Sequence, residues 1–283
     1  MAPLISLHEV TYRYGDGTTA LNRLSLSIER GERLALIGAN GSGKSTLFLC
    51  LIGILKPAEG SICFEGKPVQ RHKAGLLELR KKVGMIFQDP DAQLFCLDVY
   101  QEVAFGPSNL GWGRDMVKAK AEEAMRRTDV YHLRDKAPHF LSYGQKKRVA
   151  AASVLVMEPE ALLFDEPTAG LDPQHAKEMM DFIGGLDAAV CLSTHDMDLA
   201  FGWADRVAVL KDGNLLAQGD PPSVFKDAET LEKAALYQPM TLRLYRFMQE
   251  QNLLPHTACP PRSVDALLKL FPSPPAGGSR RLF

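Results

Sequence analysis

Gly38, Gly43, Lys44 and Ser45 stand in the spacing GxxxxGK[ST] within "GANGSGKST", a pattern whose chemistry is phosphate binding. Glycines there let backbone N–H groups wrap a polyphosphate, Lys44 reaches the β- and γ-phosphates, and the Ser45 hydroxyl is a ligand for Mg²⁺. The pattern carries weight only between a strand and a helix, and "LALI" precedes it while "STLFLCLIGIL" follows. A nucleoside triphosphate is the expected ligand, with Asn40, Gly41, Ser42 and Thr46 completing the block that contacts it.

"ALLFDEP" places two adjacent carboxylates at the end of an apolar strand, where ligands of open parallel sheets bind. Asp165 is the expected Mg²⁺ ligand, directly or through water, and Glu166 the group that polarises the attacking water. A Glu in that role favours an ATPase over a switch-type GTPase, which places water with a Gln. His195 ends the strand "AVCLST" and Gln88 ends "VGMIF", so both are expected on the edge that carries Lys44 and Asp165. Either can sense the γ-phosphate or the water, and Gln88 joins Ser45 and Asp165 as a candidate metal ligand.

A second anion-binding pattern begins at Leu141, in "LSYGQKKRVAAASVL". Ser142 is a candidate cap, Gly144 lets a ligand approach the backbone, and Lys146, Lys147 and Arg148 add positive charge to the free N–H groups of the helix start. It lies roughly a hundred residues after the phosphate loop.

These residues need an α/β frame. Short runs "RLALIG", "VGMIF", "ALLFDE", "AVCLST" and "RVAVL" bracket helical patterns, predicting a mainly parallel sheet with helices on its faces. "LISLHEVTYRY", "LNRLSLSIERGE" and "GSICFEGKPV" alternate apolar and polar residues, predicting a small antiparallel β layer. Between about residues 91 and 158 the strand signal vanishes and a helical subdomain is expected. "DPPSVF" after Gly219 marks a boundary, so residues 1–220 are expected as the main domain and 221–283 as a C-terminal helical extension ending in a disordered tail. Leu231, Leu242, Leu244, Phe247, Leu267 and Leu268 give its helices apolar faces, expected to help hold two copies together.

Composition narrows the partners. Lys+Arg (33) and Asp+Glu (34) nearly cancel, which argues against a broad nucleic-acid footprint. The five cysteines form no CxxC pair, the histidines other than His195 show no ligand spacing, and the most apolar run, "LFLCLIGIL", is far below the roughly 20 residues of a membrane span.

In order, "GANGSGKST", "FQDP", "LSYGQ", "ALLFDEP", "AGLD" and "STHD" resemble the ATP-binding cassette ATPase family over about residues 4–220. The resemblance implies a P-loop NTPase core, hydrolysis of ATP with Mg²⁺, and two subunits that sandwich two ATP molecules. Each ATP would lie between the phosphate loop of one subunit and the signature helix of the other, so Ser142, Gly144 and Gln145 would meet the partner's ATP. It also implies that Tyr14 stacks on adenine, with Tyr12 as runner-up, and that Asp172 makes contact across the dimer. The family's common "LSGGQ" reads "LSYGQ" here; Tyr143 need only turn its side chain away for the site to act.

Within the family the segments "DPDAQLF" and "FGPSN" and the Tyr143 signature are most similar to the energy-coupling factor group, and there to cobalt and nickel transport ATPases. That implies a homodimer, peripheral at the cytoplasmic face of the membrane, with an energy-coupling transmembrane protein and a substrate-binding membrane protein as partners. The alternatives are an ATPase of another transporter, for a vitamin, amino acid or other small solute, and a soluble cassette acting on nucleic acid.

Overall fold

The computed structural model describes residues 2–254 and 260–270, so His256, Cys259 and the expected tail lie outside the described residues. β1 (Ile5–Arg13) and β2 (Thr19–Ile28) pair antiparallel. β3 (Arg33–Ile37) runs into the loop of residues 38–43 and α1 (Lys44–Leu51). β4 (Glu59–Phe64) and β5 (Lys67–Pro68) form a hairpin on the free edge of β1, giving a four-stranded sheet in the order β2-β1-β4-β5. α2 (Lys73–Lys82) and β6 (Val83–Ile86) follow, then α3 (Val99–Asn109), α4 (Arg114–Arg127) and α5 (Tyr143–Leu155). β7 (Ala161–Asp165), α6 (Pro173–Gly184), β8 (Ala189–Thr194), α7 (Met197–Trp203), β9 (Arg206–Lys211) and β10 (Asn214–Gly219) complete the second sheet. α8 (Pro221–Lys226), α9 (Ala228–Lys233), α10 (Met240–Glu250) and α11 (Val264–Leu268) close the described chain.

The second sheet has the order β10-β9-β3-β8-β7-β6, parallel except for β10 at its edge. Its register brings the chemistry together: Ile37 pairs with Thr194 and Asp165 with Ser193, so the C-terminal ends of β3, β8 and β7 lie side by side. Alternation along β3 divides the core. Leu34 and Leu36 face α1 and the antiparallel sheet, while Ala35 and Ile37 face the side packed by α5, α6, α7 and α8. A third cluster, with Val103, Met125 and Val149, fills the helical region between α3, α4 and α5.

Several expectations are corrected. The first helix ends at Leu51 rather than near residue 55, and Gly53 (φ 71) turns the chain where a Cβ would meet the Leu76 side chain at 2.5 Å. "GSICFEGKPV" is a hairpin turned at Glu65 and Gly66, not one strand. At "DPPSVF" Asp220 caps α8, and Phe225 is fully buried in the core that α5–α7 share. Leu231 and Leu242 are buried in that same cluster and Leu267 packs with Tyr245 and Leu254, which leaves Leu244, Phe247 and Leu268 exposed. Arg262 fastens the last segment by donating to the carbonyls of Phe201 and Ala204.

Candidate active site

The phosphate loop is shaped by what presses on it. Gly41 (φ 80) and Gly43 (φ 105) adopt the left-handed region, and a Cβ on Gly43 would stand 2.5 Å from the Ala20 carbonyl of β2. Gly43 caps α1 with no side-chain acceptor, which leaves the first N–H groups of that helix facing the loop. Lys44 folds over the loop, its Nζ donating to the carbonyls of Gly38 (2.7 Å) and Ala39 (3.1 Å). Burial holds its pKa below the ordinary lysine range, opposed by the Glu166 and Asp165 carboxylates. The buried Ser42 Oγ has no hydrogen-bond partner among the described residues, a feature that marks polar sites built for something further.

Across the sheet edge, Ser193 organises both acids. Its hydroxyl donates to Asp165 Oδ1 at 2.5 Å and accepts the Glu166 N–H at 3.0 Å. Glu166 is buried with φ 46, a strained conformation for a residue with a side chain. Lys147 reaches the same turn from α5, donating to the carbonyls of Glu166 and Pro167, each at 3.0 Å. The Nδ1–H of His195 donates to Glu166 Oε2 at 2.9 Å.

The loop from Asn40, the two acids and His195 line one cleft of about 550 Å³. Asn40 to Thr46 form its floor, Gln88, Asp165, Glu166 and His195 one wall, and Tyr14 with Thr18, Thr19 and Ala20 the other. Tyr14 is exposed to the cleft, its hydroxyl 2.8 Å from Thr46 Oγ1, and its ring meets Tyr12 edge to face at 5.0 Å. Tyr12 packs against the core and does not line the cleft. The donor set of Ser45, Gln88 and Asp165 is all oxygen or amide, as a hard divalent cation requires, and it faces the loop that suits phosphates. The residues therefore fit Mg²⁺ beside a nucleotide.

Ser142, Gly144, Gln145 and Asp172 lie outside this cleft. Ser142 and Gln145 form a reciprocal capping box at the start of α5. Gly144 is not demanded by its own chain: its φ is not positive, and a Cβ would make only ordinary contacts, at 3.5 Å to Leu171 and 3.9 Å to His175. Asp172 caps α6 through the N–H groups of Gln174 and His175, with His175 Nδ1 at 2.5 Å. The three cations expected to charge the α5 entrance do not do so. Lys146 pairs with Asp91, Arg148 with Asp129 and Glu178, and Lys147 turns inward to the Glu166 turn.

Sequence reasoning does not single out Ser193, and it expects Lys147 at the α5 entrance rather than at the Glu166 turn that it holds. A serine directly after the apolar run "AVCL", next to the strand end, is the available signal for Ser193; the burial of Lys147 has none, because it depends on where α5 packs.

A cleft of this kind at the topological end of a parallel sheet defines a P-loop nucleotide hydrolase. The family model described as "ABC transporter" matches residues 21–169, and the chain belongs to that family, the ATPases of ABC transporters. The energy-coupling factor transporter ATP-binding protein EcfA3 of Clostridium perfringens is 43% identical over 253 residues, 88% of this chain and 89% of that protein. An ABC transporter ATP-binding protein of Methanosarcina mazei is 44% identical over 253 residues; these are 88% of this chain but only 56% of that longer relative. The structure of cbiO1 from Clostridium perfringens, part of the ABC transporter complex cbiONQ, superposes with a TM-score of 0.74 at 42% identity, covering 89% of this chain and 100% of that one. The ATP-binding cassette MJ0796, in a dimeric post-hydrolysis state with ADP and Pi, superposes at 0.69 with 26% identity over 77% of this chain and 98% of that one. The mixed α/β cassette fold and the ATPase class expected from the motifs are thereby shown. Among the described residues no helix is long and apolar enough to cross a membrane.

Proposed function

We propose that this ATPase is the motor subunit of an energy-coupling factor importer, which binds Mg·ATP as a homodimer at the cytoplasmic face of the membrane and drives cobalt or nickel uptake through separate integral membrane subunits. The carrying observation is the division of labour on one chain: a complete phosphate-binding cleft, and a second helix entrance at Ser142 and Gly144 that lies outside it. A glycine that its own fold does not need, at a capped helix start, suits close approach by another chain's ligand. The names of the Clostridium perfringens relatives, an energy-coupling factor protein and a cbiONQ subunit, support the transporter class, and the dimeric cassette with ADP and Pi supports the paired arrangement.

In this reading Lys44 and the α1 N-terminus balance the phosphate charge, and Tyr14 meets the adenine. Ser45, Gln88 and Asp165 would hold Mg²⁺, which supplies charge neutralisation at the β- and γ-phosphate oxygens. Glu166, oriented by His195 and anchored by Ser193 and Lys147, accepts a proton from the water that attacks the γ-phosphorus. The bond to ADP breaks, and closure and reopening of the dimer pass to the membrane subunits.

The test is co-expression of the tagged chain with the membrane proteins encoded beside it. The reading expects them to copurify and cobalt or nickel accumulation to require an active Glu166. Copurified partners that move an amino acid or vitamin instead would overturn the substrate, and a chain recovered on nucleic acid without membrane proteins would overturn the class.

A further inference from the structure

Tyr143 occupies the position between Ser142 and Gly144, and its side chain does more than turn away. Its hydroxyl donates to the backbone carbonyl of Gln88 at 3.1 Å. Its ring lies against the backbone of Gly170, where a Cβ would stand 2.8 Å from Cε1 and where φ is 74. The ammonium of Lys147, one turn further along α5, sits 5.4 Å from the ring centroid. Lys147 in turn holds the carbonyls of Glu166 and Pro167. One side chain thus touches the segment of Gln88, the segment leading to Asp172, and the cation that anchors the Glu166 turn.

The Gln88 segment has other ties to α5, among them Lys146 to Asp91 at 2.6 Å and Gln93 to the Ser153 hydroxyl at 3.2 Å. Gln93 accepts the Phe87 N–H at 3.1 Å and donates to the Ala150 carbonyl at 2.9 Å, two turns below the entrance. That bond fixes the base of the segment; Tyr143 is the contact nearest the γ-phosphate side.

We propose that Tyr143 is a positioning residue for Gln88, and that it ties the α5 entrance to the γ-phosphate edge of its own chain. The proposal deepens the sandwich reading and rests on it: an entrance that meets the partner's ATP would then also set where Gln88 stands in its own cleft. A glycine at this position has no atom with which to make the connection.

The test is a double-variant cycle in the full chain, Tyr143→Phe with Gln88→Ala, read by steady-state ATP hydrolysis. Tyr143→Phe keeps the ring against Gly170 and removes only the hydroxyl. It should lower kcat roughly three- to tenfold, the worth of one hydrogen bond, with KM for ATP within about twofold. In the Gln88→Ala background the same change should alter kcat by less than about twofold, because the side chain being placed is gone. Amide exchange across residues 87–89 should quicken in Tyr143→Phe while the interior of α5 keeps its protection. Equal losses in both backgrounds, or an unchanged kcat in Tyr143→Phe, would overturn the proposal. A Gly144→Asp chain with full activity would instead overturn the sandwich reading, so the two failures are distinguishable.

Discussion

The Nδ1 of His195 stands 2.9 Å from Oε2 of Glu166, joining an exposed imidazole to a carboxylate whose side chain is 8% exposed. The contact fixes one of the two carboxylate oxygens. Ser193 and Lys147 fix the backbone that carries it, so little freedom remains for the group proposed to meet the water.

Glu166→Gln should keep ATP affinity and lower kcat by at least the roughly 10²- to 10⁴-fold that a general base contributes. His195→Ala leaves the carboxylate but frees it, and a loss of about 10²-fold in kcat with little change in KM is expected. Steady-state kinetics over ATP concentration separates the two parameters. Near-parental turnover in Glu166→Gln would remove Glu166 from the role of base.

At the α5 entrance two adjacent positions should respond very unequally. Tyr143→Gly should leave hydrolysis within about tenfold, because one hydrogen bond and a ring contact are lost. Gly144→Asp should abolish it: its own chain leaves room for a Cβ, but a carboxylate there would face a γ-phosphate in poorly hydrated surroundings. Circular dichroism should show both variants folded.

Lys147 makes stability depend on pH in a defined window. Burial lowers its pKa to about 8, against the opposing pull of Glu166, Asp165 and Asp89. Below pH 8 the ammonium is charged in folded and unfolded chains alike, and its burial costs stability in full. From pH 8 to the ordinary lysine value near 10.5 the folded chain releases its proton first, so the cost is relieved as pH rises. Denaturation of the parent and of Lys147→Met across that window should show the parent gaining relative to the variant. A constant difference would mean that the ammonium is not desolvated.

How much was legible in the sequence depends on the range of each cause. The phosphate loop, β3 and the Asp165–Glu166 strand end were legible because glycine geometry and apolar runs are local. α8 was not: Pro221 and Pro222 signal a break, yet Asp220 caps a helix there and Phe225 enters a core assembled from α5–α7. The inward path of Lys147 was hidden for the same reason, since no local pattern tells which face of α5 meets the Glu166 turn. Tertiary packing decided both.

Under the proposed importer function, coupling to membrane subunits should run through the segment after Gln88. Val99 is fully buried and belongs to the helical core, whereas Phe95, Leu97 and Phe105 are exposed, with Phe95 and Phe105 edge to face at 4.8 Å beside a groove of about 670 Å³. Phe95→Ala should leave ATP hydrolysis by the isolated chain nearly intact while copurification and metal accumulation fall together. If uptake persists, docking lies elsewhere; if hydrolysis collapses, Phe95 supports the fold.

The most direct test of the sandwich is retention of ATP. Glu166→Gln loaded with radiolabelled Mg·ATP and passed through a desalting column should retain two nucleotides per pair of chains, because each is enclosed by the α5 entrance of the other chain. Glu166→Gln combined with Gly144→Asp should bind ATP at equilibrium through Lys44 and its loop but lose it on the column. Retention that survives Gly144→Asp would contradict the account, as would rapid loss from Glu166→Gln alone.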